Sequence, residues 1–332
     1  MAATSPLYEL GGLTLSSAPR VTIGLPVYNG ENYLSESIAA LLGQTYENFE
    51  LLISDNASTD STPEICREYA KQDGRIRYIR QPRNIGLIPN ENFTIREARG
   101  ELVKLAAHDD LYARDLLKVC VEALDAHPEA VVAHCRETRI DSAGTIVEAL
   151  GYSVKADEPY APERFRSMLF DGWDDYTYGV MRKQVLMRTK LCGSHHLADR
   201  TFNVELSLHG PFCLVPEWMY FRRASERAEA YTVRSRCVYS DPRRASRLRH
   251  PVARLYGEYI WGYISAILAA PLTPAERREC FGHLARWLAG RAAPVAERIV
   301  RRASLQDTAA VLPALPDVNV DAVVAGRERA AS

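Results

Sequence analysis

Short apolar runs alternate with longer amphipathic stretches over the first 136 residues of the chain. The apolar runs predict five strands, at residues 20–27, 49–54, 76–81, 101–107 and 130–136. The stretches between them predict four helices, at residues 31–43, 63–74, 90–100 and 111–127. Strands that alternate with helices of this length are typical of βαβ units, so we expect an α/β fold with a mainly parallel sheet.

Polar side chains cluster where the predicted strands end. The segments concerned are YNG (28–30), SDNAS (54–58), PRNIGL (82–87) and HDD (108–110). A sheet of this type binds its ligands in the crevice at the carboxyl ends of the strands. We therefore expect the ligand site at this edge. Asp55, in SDNAS, is a candidate ligand contact, and the alternative is that its side chain forms an Asx turn ahead of the second helix.

The alternation of strands and helices stops after residue 137. A hairpin is predicted around Ala143 and Gly144, a helix at 197–210 and two short strands within 211–223. Helices are predicted near 250–269, 274–290 and 294–303. We divide the chain into an N-terminal extension (1–19), a first half (20–136), a second half (137–223), an arginine-rich segment with C-terminal helices (224–303) and a tail (304–332).

The composition is that of a globular protein with a sizeable core. Of the 332 residues, 47% are hydrophobic and 25% are charged. The best membrane candidate, segment 255–272, contains Glu258 and is shorter than the roughly 20 residues of a membrane-spanning helix, so a buried or interfacial helix is predicted there. Seven scattered cysteines and the absence of a signal-peptide pattern favour a cytoplasmic location.

Positive charge is concentrated near the C-terminus. Residues 222–302 contain 17 Arg, no Lys and 7 acidic residues, which gives this segment a net charge of +10 in a chain of net charge −1. Such a segment favours an anionic partner, for example the inner face of the cell membrane or a polyanionic glycan. A homodimer interface and ion pairs with the acidic N-terminal half are the alternatives, and we expect no nucleic-acid partner.

Several common ligand-binding motifs are missing from the sequence. There is no GxGxxG after the first strand and no GxxxxGK[ST], HExxH or GxSxG, which excludes the common dinucleotide, P-loop, zinc-protease and serine-hydrolase readings. A nucleotide can still bind at strand ends that carry carboxylates and amides. Because no glycine-rich phosphate-binding loop is present, a cation must neutralise the charge of the diphosphate, and we expect this cation to be a divalent metal.

Three linked segments resemble the nucleotide-binding half of glycosyltransferase family two. They are PVYNGENYLSESIAALLGQTYENFELLISDNASTDST (26–62), RNIGL (83–87) and KLAAHDDLY (104–112). The later segments YGVMRKQVLMRTKL and LADRTFNVELSLHGPFCLVPEWMYFRR are similar to the acceptor side of bacterial members. The resemblance implies a GT-A fold and an inverting transfer from a nucleotide sugar, with UDP or dTDP as the expected carrier, to a glycan, lipid-linked or small-molecule acceptor.

The resemblance also assigns residues to the donor. It implies that the donor contacts are Pro26, Val27, Tyr28, Asp55, Asn56, Asn84 and Asp109. Among these, Asp55 is expected to contact the base or ribose. Asn56 stands where many members have a second acid, so the base contact is expected to differ here.

The acidic metal motif of the family corresponds to His108–Asp109–Asp110. The resemblance implies Mn²⁺ or Mg²⁺ on the donor diphosphate, with Asp110 as its protein ligand. Many members have a further acid where this chain has Ala107, so ligation is expected to depend more on phosphate oxygens and water, with metal independence as an alternative. Capping of a helix that begins at Leu111 is the alternative role for one of the two aspartates.

An inverting transfer needs a base that takes the proton of the acceptor hydroxyl. Asp199, in LADRTF, matches the catalytic aspartate of the family, with helix N-capping as its alternative role. Weaker acceptor or lid candidates are Trp173, Asp174, Arg222 and Arg223. The arginines are expected in a flexible stretch that closes over the leaving group.

Two other classes of function fit parts of this pattern. A nucleotidyltransferase also combines a parallel sheet with acidic metal ligands, but it usually has a glycine-rich and basic loop after its first strand, and PVYNGENY differs from that. A non-catalytic nucleotide-sugar-binding protein would not need Asp109, Asp110 and Asp199 together. A glycosyltransferase is therefore the leading interpretation.

Overall fold

One mixed sheet of nine strands, covered by helices on both faces, forms the centre of the protein. The structure is a computed structural model that describes residues 18–172, 176–224 and 232–300. The strand order is β3-β2-β1-β4-β8-β6-β9-β5, and β7 pairs with β6. The bounds of these strands are given below in chain order.

The first half of the chain forms the predicted parallel βαβ units. Its elements are β1 (Val21–Val27), α1 (Leu34–Leu42), β2 (Phe49–Asp55), α2 (Thr62–Gln72), β3 (Ile76–Arg80), α3 (Leu87–Glu97) and β4 (Leu102–Leu105). Each of the pairs β1–β2, β2–β3 and β1–β4 is parallel. The strands β1, β2 and β4 are almost completely buried, as expected for a sheet that is covered on both faces.

The helix predicted to begin at Leu111 begins later. Residues Leu111–Tyr112 form the short strand β5, and the helix α4 spans Leu116–Ala126. Leu111 and Tyr112 pair instead with Phe221 and Tyr220 of β9. Because Asp109 and Asp110 precede a strand, helix capping explains neither of them.

The second half of the chain continues the same sheet. Its elements are β6 (Val132–Ile140), β7 (Ile146–Ala149), α5 (Ala161–Phe170), β8 (Val180–Arg182), α6 (Lys183–Leu186), α7 (Ala198–Ser207) and β9 (Phe212–Arg223). Segment 211–223, predicted as two strands, is the single strand β9, whose register against β6 shifts around Arg136. The sheet is therefore continuous across residue 136, where the sequence suggested a boundary.

Helices α8 (Val233–Ser240), α9 (Val252–Ala269) and α10 (Pro274–Val300) follow, with a 3-10 helix at Pro242–Ala245. Two helices were expected within 274–303, but α10 is continuous to Val300. The hydrophobic core on one face of the sheet involves α1, α2 and α4, and that on the other face involves α3, α5, α7, α9 and α10. Among the described helices, none has the length and hydropathy of a membrane span.

Gly100, between α3 and β4, provides a test of the close packing at the start of the sheet. A Cβ atom at this position would lie 2.6 Å from the backbone nitrogen of Thr22 and 2.8 Å from the carbonyl oxygen of Arg20. Because backbone atoms cannot move aside cheaply, Gly100→Ala should lower the free energy of unfolding by about 1–3 kcal/mol. Urea titration measures this change.

Gly74→Ala is the matched control for this substitution. A Cβ atom at Gly74 would meet nothing within 4 Å, so this variant should unfold at nearly the same urea concentration as the unsubstituted protein. Equal stability of the two variants would contradict the packing described for Gly100.

Candidate functional site

A cavity of about 250 Å³ opens at the carboxyl ends of β1 and β2, where a parallel sheet is expected to bind its ligand. We call it the donor cavity. Its lining residues are Pro26, Val27, Tyr28, Asn56, Asn84, Leu87, Asn90, His108, Val238, Tyr239 and Pro242. Five of the residues that the sequence assigned to the donor are in this set, and Asp55 and Asp109 are not.

Asn56 holds one wall of the donor cavity in place. Its amide nitrogen donates to Asn84 Oδ1 at 3.0 Å and to the carbonyl oxygen of Gly86 at 3.2 Å. Its amide oxygen accepts from the backbone N–H of Ile85 at 2.8 Å. A carboxylate could accept from Ile85 but could not donate to the other two groups, so the amide at position 56 suits this loop better than the acid of other members.

Asp55 is completely buried and does not line the donor cavity. Its Oδ1 accepts from the backbone N–H of Ser58 at 2.8 Å, and its Oδ2 accepts from the Tyr78 hydroxyl at 2.8 Å. The Arg80 guanidinium lies 3.5 Å from Oδ2. The geometry thus favours the Asx-turn role for Asp55, and its neighbour Asn56 is the polar residue that lines the cavity.

The two aspartates of the acidic turn have different environments. The Asp109 side chain is 32% exposed and lies beside His108, which lines the donor cavity. The Asp110 carboxylate is buried, accepts from the Tyr220 hydroxyl through Oδ2, and accepts from the backbone N–H of Arg223 through Oδ1 at 2.9 Å. Asp109 is therefore more accessible to a ligand than Asp110, whereas the sequence analysis assigned the metal to Asp110.

Burial and the neighbouring charge of Asp109 raise the pKa of Asp110 to about 7. A buried lysine lies behind this carboxylate: Lys104 donates to the carbonyl oxygen of Tyr178 at 2.6 Å, and its ammonium group lies over the ring of Tyr112. Burial lowers the pKa of Lys104 to about 8. Sequence reasoning missed this residue, although a lysine in the middle of the apolar run ELVKLAA was a signal.

Arg222 and Arg223 lie on β9 and not on a flexible lid. Arg223 is buried, and its guanidinium donates to the carbonyl oxygens of Asp109, Asp141 and Ser142. It also forms an ion pair with Glu36 of α1 at 3.0 Å. These contacts make Arg223 a support of the acidic turn, while Arg222 lies 3.5 Å from the carboxylate of Glu137.

The segment that covers the donor cavity is formed by α8 and the 3-10 helix. It contributes Val238, Tyr239 and Pro242 to the lining. Gly86 permits this contact, because a Cβ atom there would lie 2.7 Å from both Pro242 Cδ and the carbonyl oxygen of Ser240. The sequence predicted that arginines of this stretch approach the donor, but the residues that it contributes to the cavity lining are apolar or aromatic, and the sequence carried no separate signal for them.

Asp199 lies in the first turn of α7, one residue after the helix begins. The residue at the N-cap position is Leu197, and the Asp199 carboxylate accepts from the adjacent backbone N–H of Arg200 at 2.9 Å. Burial and, more weakly, the charge of Asp199 raise the pKa of Tyr259 on α9, whereas the charges of Arg200 and Arg291 lower it. Asp199 does not line the donor cavity, and the predicted Trp173 and Asp174 lie outside the described residues.

The acidic turn has suitable chemistry for a hard divalent cation. Carboxylate oxygens are preferred ligands of Mg²⁺ and Mn²⁺, and a cation near Asp109 would offset the repulsion that raises the pKa of Asp110. With only two carboxylates, the remaining ligands would be phosphate oxygens and water, as is common for Mg²⁺. The one group of three metal-ligating side chains in the described structure, Glu163, Glu279 and His283, lies between α5 and α10.

Comparison with known proteins shows the family and the fold. Residues 22–195 match the model of the family described as "Glycosyl transferase family 2". Glycosyltransferase GlyA of Streptococcus pneumoniae is 36% identical over 99 residues, which is 30% of this chain and 14% of that protein. This chain therefore matches only a small part of that relative's length.

Two solved structures have a similar fold. One is TarS 1–349 of S. aureus in complex with UDP-GlcNAc, with a TM-score of 0.60 and 18% identity over 81% of this chain and 71% of that one. The other is the mannosyltransferase PcManGT of Pyrobaculum calidifontis in complex with GDP-Man and Mn²⁺, with a TM-score of 0.50 and 20% identity over 86% and 79%. The expected GT-A fold is confirmed.

The stability of the protein should depend on the titration of Asp110. Because folding raises the pKa of Asp110 from 3.8 to about 7, the folded chain between these pH values holds a proton that the unfolded chain has released. The contribution of Asp110 to the free energy of unfolding should therefore fall as pH rises across this range, by at least about 1 kcal/mol relative to Asp110→Asn. Buried histidines with a lowered pKa, such as His134, act in the opposite direction, but they are common to both proteins and cancel in this comparison. Urea titrations with a chelator, at about pH 5 and about pH 8, measure the fall.

Asp110→Asn should remove this fall, because the amide does not titrate in this range and can still accept from Arg223. Asp157→Asn, at an exposed position, is the control and should behave like the unsubstituted protein. A pH dependence that is the same with and without Asp110 would contradict the environment described for this carboxylate.

Proposed function

The chain belongs to glycosyl transferase family 2, and on that premise we propose that it transfers a sugar from a nucleoside-diphosphate sugar to a hydroxyl acceptor with inversion at the anomeric carbon. The observation that carries this proposal is the donor cavity at the strand ends, bordered by the acidic turn at His108–Asp110. A glycan, a lipid-linked saccharide or a small molecule would supply the hydroxyl group.

The lining of the donor cavity suits a nucleoside. Tyr28 is 43% exposed and offers an aromatic face to a base, and Leu87 and Tyr239 add apolar surface. The exposed Asn84 accepts from Asn56 and Gly86 through its Oδ1, and its amide nitrogen can donate to a ligand. The similarity to TarS, which was solved with UDP-GlcNAc, supports a uridine nucleotide, with dTDP as the second candidate.

We assign the metal contact to Asp109 and give Asp110 a supporting role. Asp109 is the more exposed of the two carboxylates, whereas both oxygens of Asp110 accept hydrogen bonds from β9. When bound, Mn²⁺ or Mg²⁺ would offset the negative charge that develops on the departing nucleoside diphosphate. The similarity to PcManGT, which was solved with Mn²⁺, supports this cofactor.

Asp199 is the proposed general base. A carboxylate can accept the proton of the acceptor hydroxyl while the oxygen attacks the anomeric carbon from the side opposite the diphosphate. The first turn of α7 positions the side chain, and its partial exposure leaves it accessible to an acceptor. This single displacement inverts the anomeric configuration.

A panel of nucleotide sugars with Mn²⁺ separates this proposal from the alternatives. Release of a nucleoside diphosphate supports glycosyl transfer, and formation of pyrophosphate supports a nucleotidyltransferase. Binding without turnover supports a non-catalytic binding protein. Thermal-shift measurements with the same panel identify the nucleobase of the donor, because a ligand that binds the folded state raises the melting temperature.

Substitution of the two turn aspartates should have different effects. Asp109→Asn should abolish the part of UDP binding that depends on Mn²⁺ and leave the pH dependence of stability largely in place. Asp110→Asn should lower turnover by orders of magnitude and also remove that pH dependence. Calorimetric titration of UDP with and without Mn²⁺ provides the measurement, and full Mn²⁺-dependent binding by Asp109→Asn would contradict our assignment.

Asp199→Asn should lower the rate of transfer by about 10²–10⁴-fold, the usual contribution of a general base. Its affinity for UDP should stay close to that of the unsubstituted protein, because Asp199 does not line the donor cavity. Steady-state rates and UDP titration measure the two effects. If the variant unfolds more easily but keeps its activity per folded molecule, Asp199 has only a structural role at the start of α7.

We also propose peripheral contact with an anionic membrane through residues 245–256. Leu248 is 96% exposed, and Val252 and Tyr256 are also exposed nearby. Arg247 and Arg249 are exposed and have no carboxylate within ion-pair distance among the described residues. Apolar side chains beside unpaired arginines are typical of surfaces that bind anionic lipids.

Sedimentation with vesicles tests this contact. The protein should bind vesicles that contain phosphatidylglycerol more strongly than vesicles of phosphatidylcholine alone, and the double variant Arg247→Glu/Arg249→Glu should lose most of the difference. The double variant Arg188→Glu/Lys118→Glu, at exposed positions elsewhere, is the control. Equal binding to both kinds of vesicle would exclude the proposed contact.

A further inference from the structure

A second cavity of about 250 Å³ lies between α7, α9 and the loop that precedes α7. We call it the second cavity. Its lining residues are Lys190, Leu191, Gly193, Ser194, His195, Thr201, Glu205, Arg244, Glu258, Trp261, Gly262 and Ser265. None of these residues lines the donor cavity, so the second cavity is a separate opening.

The second cavity combines many hydrogen-bonding groups with one accessible aromatic ring. Carboxylates, hydroxyls, an imidazole and two cationic groups line it, and Trp261 is 57% exposed. A sugar ring presents hydroxyl groups at its edge and C–H groups on its faces. A sugar ring therefore binds where polar groups surround its edge and an aromatic ring packs against one face. The polar residues of the second cavity and the indole ring of Trp261 provide both.

Glu205 is the residue of this cavity that a purely structural role explains least well. It is only 5% exposed, burial raises its pKa, and its Oε1 accepts from the backbone N–H of Lys190 at 3.3 Å. A buried carboxyl group with one long hydrogen bond is costly to keep. A ligand that donates hydroxyl hydrogens would supply the missing partners.

The charges of the second cavity favour a neutral ligand. Glu258 pairs with both Arg244 and Arg254, so the guanidinium that lines the cavity is already matched by a carboxylate. Lys190 also lines the cavity, and its charge opposes the effect of burial on the pKa of Glu205, so the four charged groups of the lining balance. An anionic ligand would face these carboxylates, whereas an uncharged saccharide would meet donors and acceptors in similar number.

Two short stretches of chain connect the second cavity to the donor cavity. Pro242 lines the donor cavity and Arg244 lines the second one, and residues two apart are separated by no more than about 7 Å between Cα atoms. In α3, Asn90 lines the donor cavity, while Asn92 donates to the carbonyl oxygen of Cys192 at 2.7 Å and so holds the loop of the second cavity. The two cavities are therefore connected through short stretches of chain.

We propose that the second cavity binds the acceptor, and that this acceptor is an uncharged saccharide whose ring packs on Trp261 and donates hydroxyl hydrogens to Glu205. This inference rests on the proposed function, because an acceptor site has a use only if the neighbouring cavity holds a sugar donor. Asp199 lies two residues before Thr201 on α7, so the proposed base belongs to the helix that forms one wall of the acceptor site.

Binding of simple saccharides tests the inference directly. The probe is a panel of methyl glycosides of glucose, galactose, mannose, N-acetylglucosamine and rhamnose, followed by saturation-transfer NMR in the presence of UDP. At least one glycoside should bind the unsubstituted protein. Trp261→Ala and Glu205→Gln should each weaken that binding at least about fivefold, because each removes one of the two main contacts.

Two control variants and one further measurement make the result decisive. Trp218→Ala and Glu217→Gln change the same residue types on β9 and should bind the glycoside as the unsubstituted protein does. The affinity for UDP, measured by calorimetry, should be the same in all four variants. This separates loss of the acceptor site from a general loss of folded protein.

The outcomes distinguish this inference from the proposed function. If UDP binds but no glycoside does, or if Trp261→Ala and Glu205→Gln bind the glycoside as well as the controls do, the second cavity is not the acceptor site. If neither UDP nor any other nucleoside diphosphate binds, the proposed function itself is wrong. Glycoside binding that both variants weaken, with UDP binding intact, establishes the acceptor site.

Discussion

The buried carboxylate of Asp110 is the interaction on which the rest of the site depends. It accepts from the Tyr220 hydroxyl and from the backbone N–H of Arg223, both on β9, and so fixes the turn that follows β4 to a strand more than 100 residues later. Arg223 adds bonds to Asp109 and an ion pair with Glu36 of α1. Burial makes the charged form of Asp110 unfavourable, and this is why its pKa is raised. The hydrogen bonds from β9 partly offset this effect and fix the geometry of the turn.

The contacts of Asp110 add to the strand pairings that join the two halves of the chain in one sheet. β5 pairs with β9 directly after the acidic turn, and β8 joins β4 to β6. The partly exposed Asp109 is thereby held beside the donor cavity by contacts from the second half of the chain. A site built across both halves stays in register only if the sheet is continuous, because a hinge between them would move the turn relative to β9.

The covering segment at residues 233–245 has a corresponding role on the other side of the donor cavity. Its apolar side chains close the donor cavity, and Arg244, near its end, lines the second cavity. Much of the positive charge of the C-terminal region is used within the fold, as in the pairs of Arg243 with Asp241 and of Arg244 with Glu258. Arg247 and Arg249 have no carboxylate within ion-pair distance among the described residues, and they carry the proposed membrane contact.

The sequence by itself determined the βαβ order of the first half, the edge of the sheet where the site lies, and the family. These follow from local periodicity and from short motifs, which depend on neighbours along the chain. It did not determine which of two adjacent polar residues faces the ligand. Asp55 and Asn56, like Asp109 and Asp110, are successive residues of extended or turning chain whose side chains point in different directions. Only their distant partners, Tyr78 and the loop at 84–86 in one case and β9 in the other, decide that Asn56 and not Asp55 lines the donor cavity, and that Asp109 is more exposed than Asp110.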